Sequence, residues 1–166
     1  KIAMKLDEGD KLINVRICHE DNDIMLAARS GKCIRFPVTD VRVFVGRNST
    51  GVRGIKLAEG DEVISMSILL HSDATSEERD EYARIASAIK RISAERGDDS
   101  CVSPEDTGLL NVLTTEKYKE MAEREQFILS VTSTGYGKRT SSYEYRVTGR
   151  GGQGIANMEM SARNKE

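Results

Sequence analysis

Short stretches of alternating apolar and polar residues run through most of this chain. Ile13, Val15 and Ile17 alternate with Asn14 and Arg16, and Val41, Val43 and Val45 recur around Arg42 and Phe44. A period of two predicts half-buried strands at both places. Ile24 to Arg29 and Lys32 to Phe36 flank Ser30-Gly31, a hairpin signal, and Thr134-Gly135 plays the same part later. Val63 to Leu70 is a further predicted strand, and strand character returns at Phe127. Between them the period changes. Thr75-Ser76-Glu77-Glu78 is a capping-box signature, and Tyr82, Ile85, Ile89 and Ile92 follow at helical spacing. Gly97-Asp98-Asp99-Ser100 breaks that helix, and a second, from Thr115 to Arg124, puts Tyr118 and Met121 on one face.

The pattern repeats. Leu6-Asp7-Glu8-Gly9-Asp10 aligns with Leu57-Ala58-Glu59-Gly60-Asp61 at an offset of 51 residues. Arg150-Gly151-Gly152-Gln153-Gly154-Ile155 mirrors Arg47-Asn48-Ser49-Thr50-Gly51-Val52, and residues 23–36 resemble 126–140. About four strands fall in each copy, the count and period of a propeller-like blade. One blade cannot bury both of its faces, so copies must stack. The expected fold is therefore all-β, a pinwheel-like repeat of four-stranded blades. Residues 1–69 form one blade unit, 125–166 a second, and 70–124 a partly helical acidic insertion.

Composition changes this picture in one respect. The formal charge of the 166 residues is −2, but it is unevenly placed. Residues 71–125 hold 14 Asp/Glu against 8 Lys/Arg, a balance of −6, leaving the remainder at +4. A mildly basic body is thus masked by one acidic segment. Removing 71–124 is expected to keep the β fold and to tighten binding to a polyanion. No apolar run approaches a membrane span, so no membrane partner is expected. Cys18, Cys33 and Cys101 lack CxxC spacing and read as free thiols of a reducing compartment. The chain begins at Lys1 rather than Met, and is expected to be a piece of a longer protein.

Candidate chemistry is sparse. Gly149-Arg150-Gly151-Gly152-Gln153-Gly154 satisfies GxGxxG, but Ile155-Ala156 after it reads as extended where a dinucleotide site needs a helix. Gly137-Lys138-Arg139-Thr140 looks like the end of a P-loop, yet Thr132 stands where its first glycine belongs. His19 and His71 have no metal-ligand spacing. No catalytic constellation, metal or cofactor is expected. The basic residues say more. Arg29, Lys32 and Arg35 surround the first hairpin turn, and Lys138 and Arg139 follow the second. Arg47 and Arg53 flank one glycine-rich turn, and Arg146 and Arg150 approach the other. Glycines beside cations let a phosphate approach backbone N–H groups. An ordinary solvated charged face fits the same spacing. If nucleic acid is bound, an aromatic content of 5% with no Trp supplies few stacking platforms, so duplex backbone contact is expected over base readout.

The stretches 1–13, 50–66 and 133–146, and above all Gly135-Tyr136-Gly137-Lys138-Arg139-Thr140, resemble the C-terminal domain of the DNA gyrase A subunit. Topoisomerase IV has a related, more degenerate domain. The resemblance implies a ring of four-stranded blades that wraps duplex DNA on a basic rim and serves negative supercoiling. It implies three partners: duplex DNA, the rest of the gyrase A subunit, and the gyrase B subunit. Their place is the cytoplasm, at the chromosome. Arg29, Lys32, Arg35, Arg47, Arg53, Lys138, Arg139, Arg146 and Arg150 are then the candidate rim. The family's wrapping heptapeptide, Gln-Arg-Arg-Gly-Gly-Lys-Gly, is matched at four of seven positions by residues 148–154, so this chain alone is expected to wrap DNA poorly. The alternative readings are the topoisomerase IV A-subunit domain, and a propeller fragment that docks a protein and does not bind DNA.

Overall fold

β1 (Asn22–Ala28) and β2 (Lys32–Pro37) form the first predicted hairpin in a computed structural model that describes residues 4–97 and 102–159. Gly31 turns it at φ +83°, a conformation that costs glycine little, and its N–H donates to the Ala28 carbonyl at 3.0 Å. β3 (Val63–Leu70) adds antiparallel to β1, and β6 (Ile155–Ala156) antiparallel to β2. The result is a four-stranded sheet in the order β3-β1-β2-β6. Successive side chains point to opposite faces, and β1 buries both. Ile24 and Leu26 pack with Ile34, Phe36 and Ile55, while Met25 packs with Cys33, Leu69 and Tyr145. β4 (Phe127–Val131) and β5 (Gly137–Ser141) make the second hairpin, turned by Gly135 at φ +86°.

The chain divides into two compact units. One comprises Lys1–His71, Phe127–Thr140 and Tyr145–Glu166; the other comprises Ser72–Gln126 and Ser141–Glu144. The sheet and, but for Ser141, both hairpins lie in the first, where the sequence repeat is written into the backbone. Gly9 and Gly60, at equivalent positions, both take positive φ, +86° and +75°. Asp10 N–H donates to the Asp7 carbonyl at 3.1 Å, and Asp61 N–H to Ala58 at 3.2 Å. Lys5 N–H reaches the Ser49 carbonyl at 3.0 Å, and its counterpart Lys56 reaches Gly152 at 2.8 Å.

Two predicted strands are absent. Residues 13–17 and 41–45 carry no ladder, and Ile17 and Val45 are fully exposed at 92% and 108%. Alternation specifies an extended segment with one apolar face, but a ladder also needs a neighbour. β3, the counterpart of residues 12–19, has β1 beside it; the earlier segment has no partner strand among the described residues.

In the second unit α1 (Ser76–Arg96) starts as its capping box predicts. Thr75 Oγ1 accepts from Glu78 N–H at 3.2 Å, and Glu78 Oε2 accepts from Thr75 N–H at 2.7 Å. Gly97 stops the helix in the left-handed region at φ +63°. α2 (Thr115–Arg124) is capped by Thr114. Tyr82 and Ile85 of α1 pack with Leu113, Tyr118, Met121 and Tyr143. Of the predicted break, Gly97 is the cap of α1, and Asp98 to Ser100 lie outside the described residues.

A charged residue helps hold this unit. Glu81, 1% exposed, accepts from the backbone N–H groups of Asn111 at 2.7 Å, Val112 at 2.9 Å and Leu113 at 2.9 Å. Burial pushes its carboxyl up, but these three donors and the charge of Arg84 outweigh burial and hold it below its ordinary 4.5. A carboxyl lowered by folding contributes stability that is present above its unfolded value and lost as pH falls through the folded one. The helical circular dichroism of the unit is therefore expected to fall on acidification below pH 4.5. Glu81→Gln should flatten that dependence and cost about 2 kcal/mol at neutral pH, because its amide cannot satisfy all three donors. An unchanged acid profile in the variant would show that Glu81 is not the sensor.

Candidate nucleic-acid interface

The cations at the first hairpin turn sit among acids. Arg29 N–H donates to the Glu62 carbonyl at 2.9 Å, and its guanidinium pairs with the Glu62 carboxylate. Asp61 Oδ1 accepts from Ser30 N–H at 3.0 Å. Burial pushes the Asp61 carboxyl up, but the Ser30 hydroxyl and N–H, the Glu62 N–H and the charge of Lys32 together bring it below its usual range. Lys32 and Arg29 are exposed, yet two carboxylates offset them locally.

Arg35 is not a rim residue. It is 3% exposed and pairs with Asp23, itself 0% exposed, its Nε lying 2.7 Å from Oδ2. Its other nitrogens donate to the carbonyls of Leu70 at 2.9 Å and Tyr145 at 3.3 Å. The second Asp23 oxygen meets His71 Nδ1 at 2.7 Å. β2 is interior to the sheet, between β1 and β6, and Asp23, Leu70 and Tyr145 enclose the guanidinium above it. The same displacement along the chain that carries Gly31 to Gly135 carries Asp23 to Phe127 and Arg35 to Arg139. Arg139 lies over the Phe127 ring at 4.7 Å, a stacked pair where the first hairpin has an ion pair. It is exposed, as are Lys138 and Tyr136.

The glycine-rich turns hold the rest. Arg150 is exposed but serves as a clamp, its Nε donating to the Asp40 carbonyl at 2.9 Å and its Nη1 to the Arg53 carbonyl at 3.2 Å. Gly151 N–H donates to Gly54 at 2.6 Å, joining the two turns. Arg146 lines a cleft of about 180 Å³ with Gly149, Gly152, Gln153 and Gly154. Arg47, Arg53, Lys138 and Arg146 are exposed and make no ion pair among the described residues. Of the nine candidates, these four and the stacked Arg139 are the cations left open to a polyanion. The GxGxxG run leads into strand β6 and not a helix, which removes the helix N-terminus that a pyrophosphate site requires.

His71 and Asp23 were invisible as a pair in the sequence, because 48 residues separate them. Cys18 and Cys33 are free thiols, exposed and buried respectively, and burial pushes the Cys33 thiol up to about 11 against the opposing charge of Lys138. Cys101 lies outside the described residues. No helix among the described residues is long and apolar enough to cross a membrane.

Comparison with known proteins follows the same repeats. The DNA gyrase C-terminal domain, a β-propeller, matches residues 1–19, 22–69 and 126–165, and leaves 70–125 unmatched. The chain is 54% identical to the DNA gyrase A subunit of Granulibacter bethesdensis, over 98% of this chain and 18% of that protein. It is 51% identical to the corresponding protein of Rickettsia bellii, covering 97% of this chain and 17% of the relative. The Escherichia coli K12 gyrase A subunit is 30% identical, over 99% of this chain and 13% of its own length. The chain thus spans under a fifth of these relatives. A crystal structure of the C-terminal domain of DNA topoisomerase IV shares the fold, with a TM-score of 0.57 at 17% identity, covering 93% of this chain and 31% of that one.

Proposed function

This chain belongs to the DNA gyrase C-terminal domain family, and we propose that it is a duplex-DNA-binding and wrapping segment of a gyrase A subunit. In that role it contributes blades to a wheel around which duplex is bent, in the service of negative supercoiling. Its other partners are then the remainder of that same polypeptide and the gyrase B subunit, at the chromosome in the cytoplasm. The observation that carries the reading is the placement of Arg47, Arg53, Lys138, Arg139 and Arg146. All five are exposed and none has an ion-pair partner among the described residues; Arg47 and Arg53 flank one glycine-rich turn, Arg146 precedes the other, and Lys138 and Arg139 stand in the second hairpin. Bending a site of some twenty base pairs costs on the order of several kcal/mol, and contacts spread along a rim offset that cost without base readout.

The test is binding of a fluorescent duplex across a salt series. Log affinity should fall linearly with log salt, by roughly 0.9 per phosphate contacted. Arg47→Ala with Arg53→Ala should weaken binding about equally on unrelated sequences and lower the slope by about two contacts. Absence of duplex binding at low salt would sink the reading.

A further inference from the structure

We propose that the free edge of β4 is a docking groove for a strand, and that its occupant is residues 12–19 of a second copy of this chain. The proposal does not rest on the DNA-binding reading above. A groove of about 800 Å³ runs beside β4. Its floor is the sheet face that carries Met25 and Ala27 of β1, with Ser67 and Ser65 of β3 paired to them. Its flank is six consecutive residues, Ile128 to Ser133. Strand side chains alternate between faces, so an unbroken run of lining residues marks the edge of the strand. Thr132 N–H donates to the Tyr136 carbonyl at 2.8 Å across the hairpin. Bonds of an antiparallel ladder alternate between sides, so Leu129 and Val131 turn their N–H and C=O groups away from β5, along the groove. β4 has no second neighbouring strand among the described residues.

The internal repeat points to the occupant. An offset of 51 residues carries β3 back to residues 12–19, and the displacement that carries Gly31 to Gly135 carries β1 to β4. β3 pairs antiparallel with β1, Ile68 opposite Ile24 and Met66 opposite Leu26. The same register sets Ile17 of a second copy opposite Ile128, and its Val15 opposite Ser130. Ile128 packs on the cluster of Met25, Cys33 and Leu69, so that face of β4 looks onto the groove floor. Val15 and Ile17, with Ile13 at the same period, therefore enter the groove, and Asn14 and Arg16 stay outside it. All three apolar side chains are exposed in the single chain, and their segment carries no ladder. Six residues of strand span roughly 20 Å, so Leu12 to Ile17 match the run from Ile128 to Ser133. An edge with unpaired backbone groups and an alternating segment without a ladder complement each other, which is strand addition. Donor and acceptor are different surfaces of one chain, so the contact is heterologous and propagates beyond a dimer or closes into a ring.

The experiment is sedimentation velocity of the 166-residue chain over a concentration series, with reductant present so that the exposed Cys18 cannot cross-link. The mass is expected to rise with concentration past that of a dimer. Val15→Asp/Ile17→Asp disables the donor and should raise the concentration needed for association by more than about tenfold. Leu129→Pro disables the acceptor, because its N–H faces away from β5 and a proline there leaves the hairpin bonds in place. Val131→Pro serves if that variant unfolds, and urea unfolding shows which variants are folded. Each blocked variant alone should stay monomeric, while a mixture of the two should form one-to-one dimers and nothing larger. A parent chain still monomeric at about 1 mM, where even millimolar contacts show, would overturn the proposal. So would a mixture of folded, blocked variants that stays monomeric. Association that survives the donor substitutions but is lost with Leu129→Pro would mean that two β4 edges pair with each other, and would overturn it as well.

Discussion

Arg35→Ala is expected to lower folding stability by about 3–5 kcal/mol, measured by urea unfolding. The substitution leaves Asp23, 0% exposed, with His71 at one oxygen but without the guanidinium 2.7 Å from the other, and takes a donor from the Leu70 and Tyr145 carbonyls. An uncompensated buried charge is far costlier than the pair itself is worth. Asp23→Leu with Arg35→Met should for that reason lose less than either single replacement. Arg139→Ala, at the repeat-equivalent position, removes only an exposed cation stacked on Phe127 and should cost under about 1 kcal/mol. The two arginines thus separate by what they do. At a temperature where the protein stays folded, Arg139→Ala should weaken duplex binding more than Arg35→Ala does. Equal stability losses for both would remove the distinction between a core ion pair and a surface cation.

That distinction was out of reach of the sequence. Asp23, Leu70 and Tyr145 converge on Arg35 from three distant segments, and a basic residue in a short strand beside a glycine turn reads as surface. Local signals fared better, because their partners are close in sequence. The Ser30-Gly31 and Thr134-Gly135 turns, the Thr75 capping box, strand Val63–Leu70 and helix Thr115–Arg124 stand where the pattern puts them. Residues 13–17 and 41–45 show the limit of such signals: a period of two specifies a face, but whether a ladder forms depends on a neighbour that no local pattern encodes. The repeat bridged part of that gap. It aligned Lys5 with Lys56, and the backbone bonds of both follow the alignment. Among the candidate cations, repeat logic placed Arg47, Arg53 and Arg146 in the open, and failed for Arg35 because its counterpart Arg139 lies in a hairpin without flanking strands.

The same logic makes Gly154→Ala the second large effect. Gly154 takes φ +73°, and a Cβ built there would stand 2.4 Å from the Cys33 carbonyl oxygen and 2.9 Å from its carbon. Both atoms are backbone of the central strand β2, so no side chain can yield. Relief requires β6 to move away, which breaks the Cys33–Ile155 and Lys32–Ala156 pairing and the Asn157 N–H bond to Gly31 at 2.8 Å. A left-handed alanine costs roughly 1–2 kcal/mol, and each lost backbone bond about 1 kcal/mol, so about 3 kcal/mol or more is expected. Gly51, its repeat counterpart, has φ +79° but only the Met4 methyl within 4 Å, at 3.8 Å. Gly51→Ala should cost about 1 kcal/mol, the conformational penalty alone. Unfolding curves of the two variants, with hydrogen exchange at Ala156 and Asn157, would resolve the difference. A Gly154→Ala protein with intact protection there would mean that β6 is not held against β2 as the geometry requires. The expected result assigns the third glycine of the GxGxxG run to strand packing. It is needed because β2 passes within a methyl's width of it, and no nucleotide enters the account.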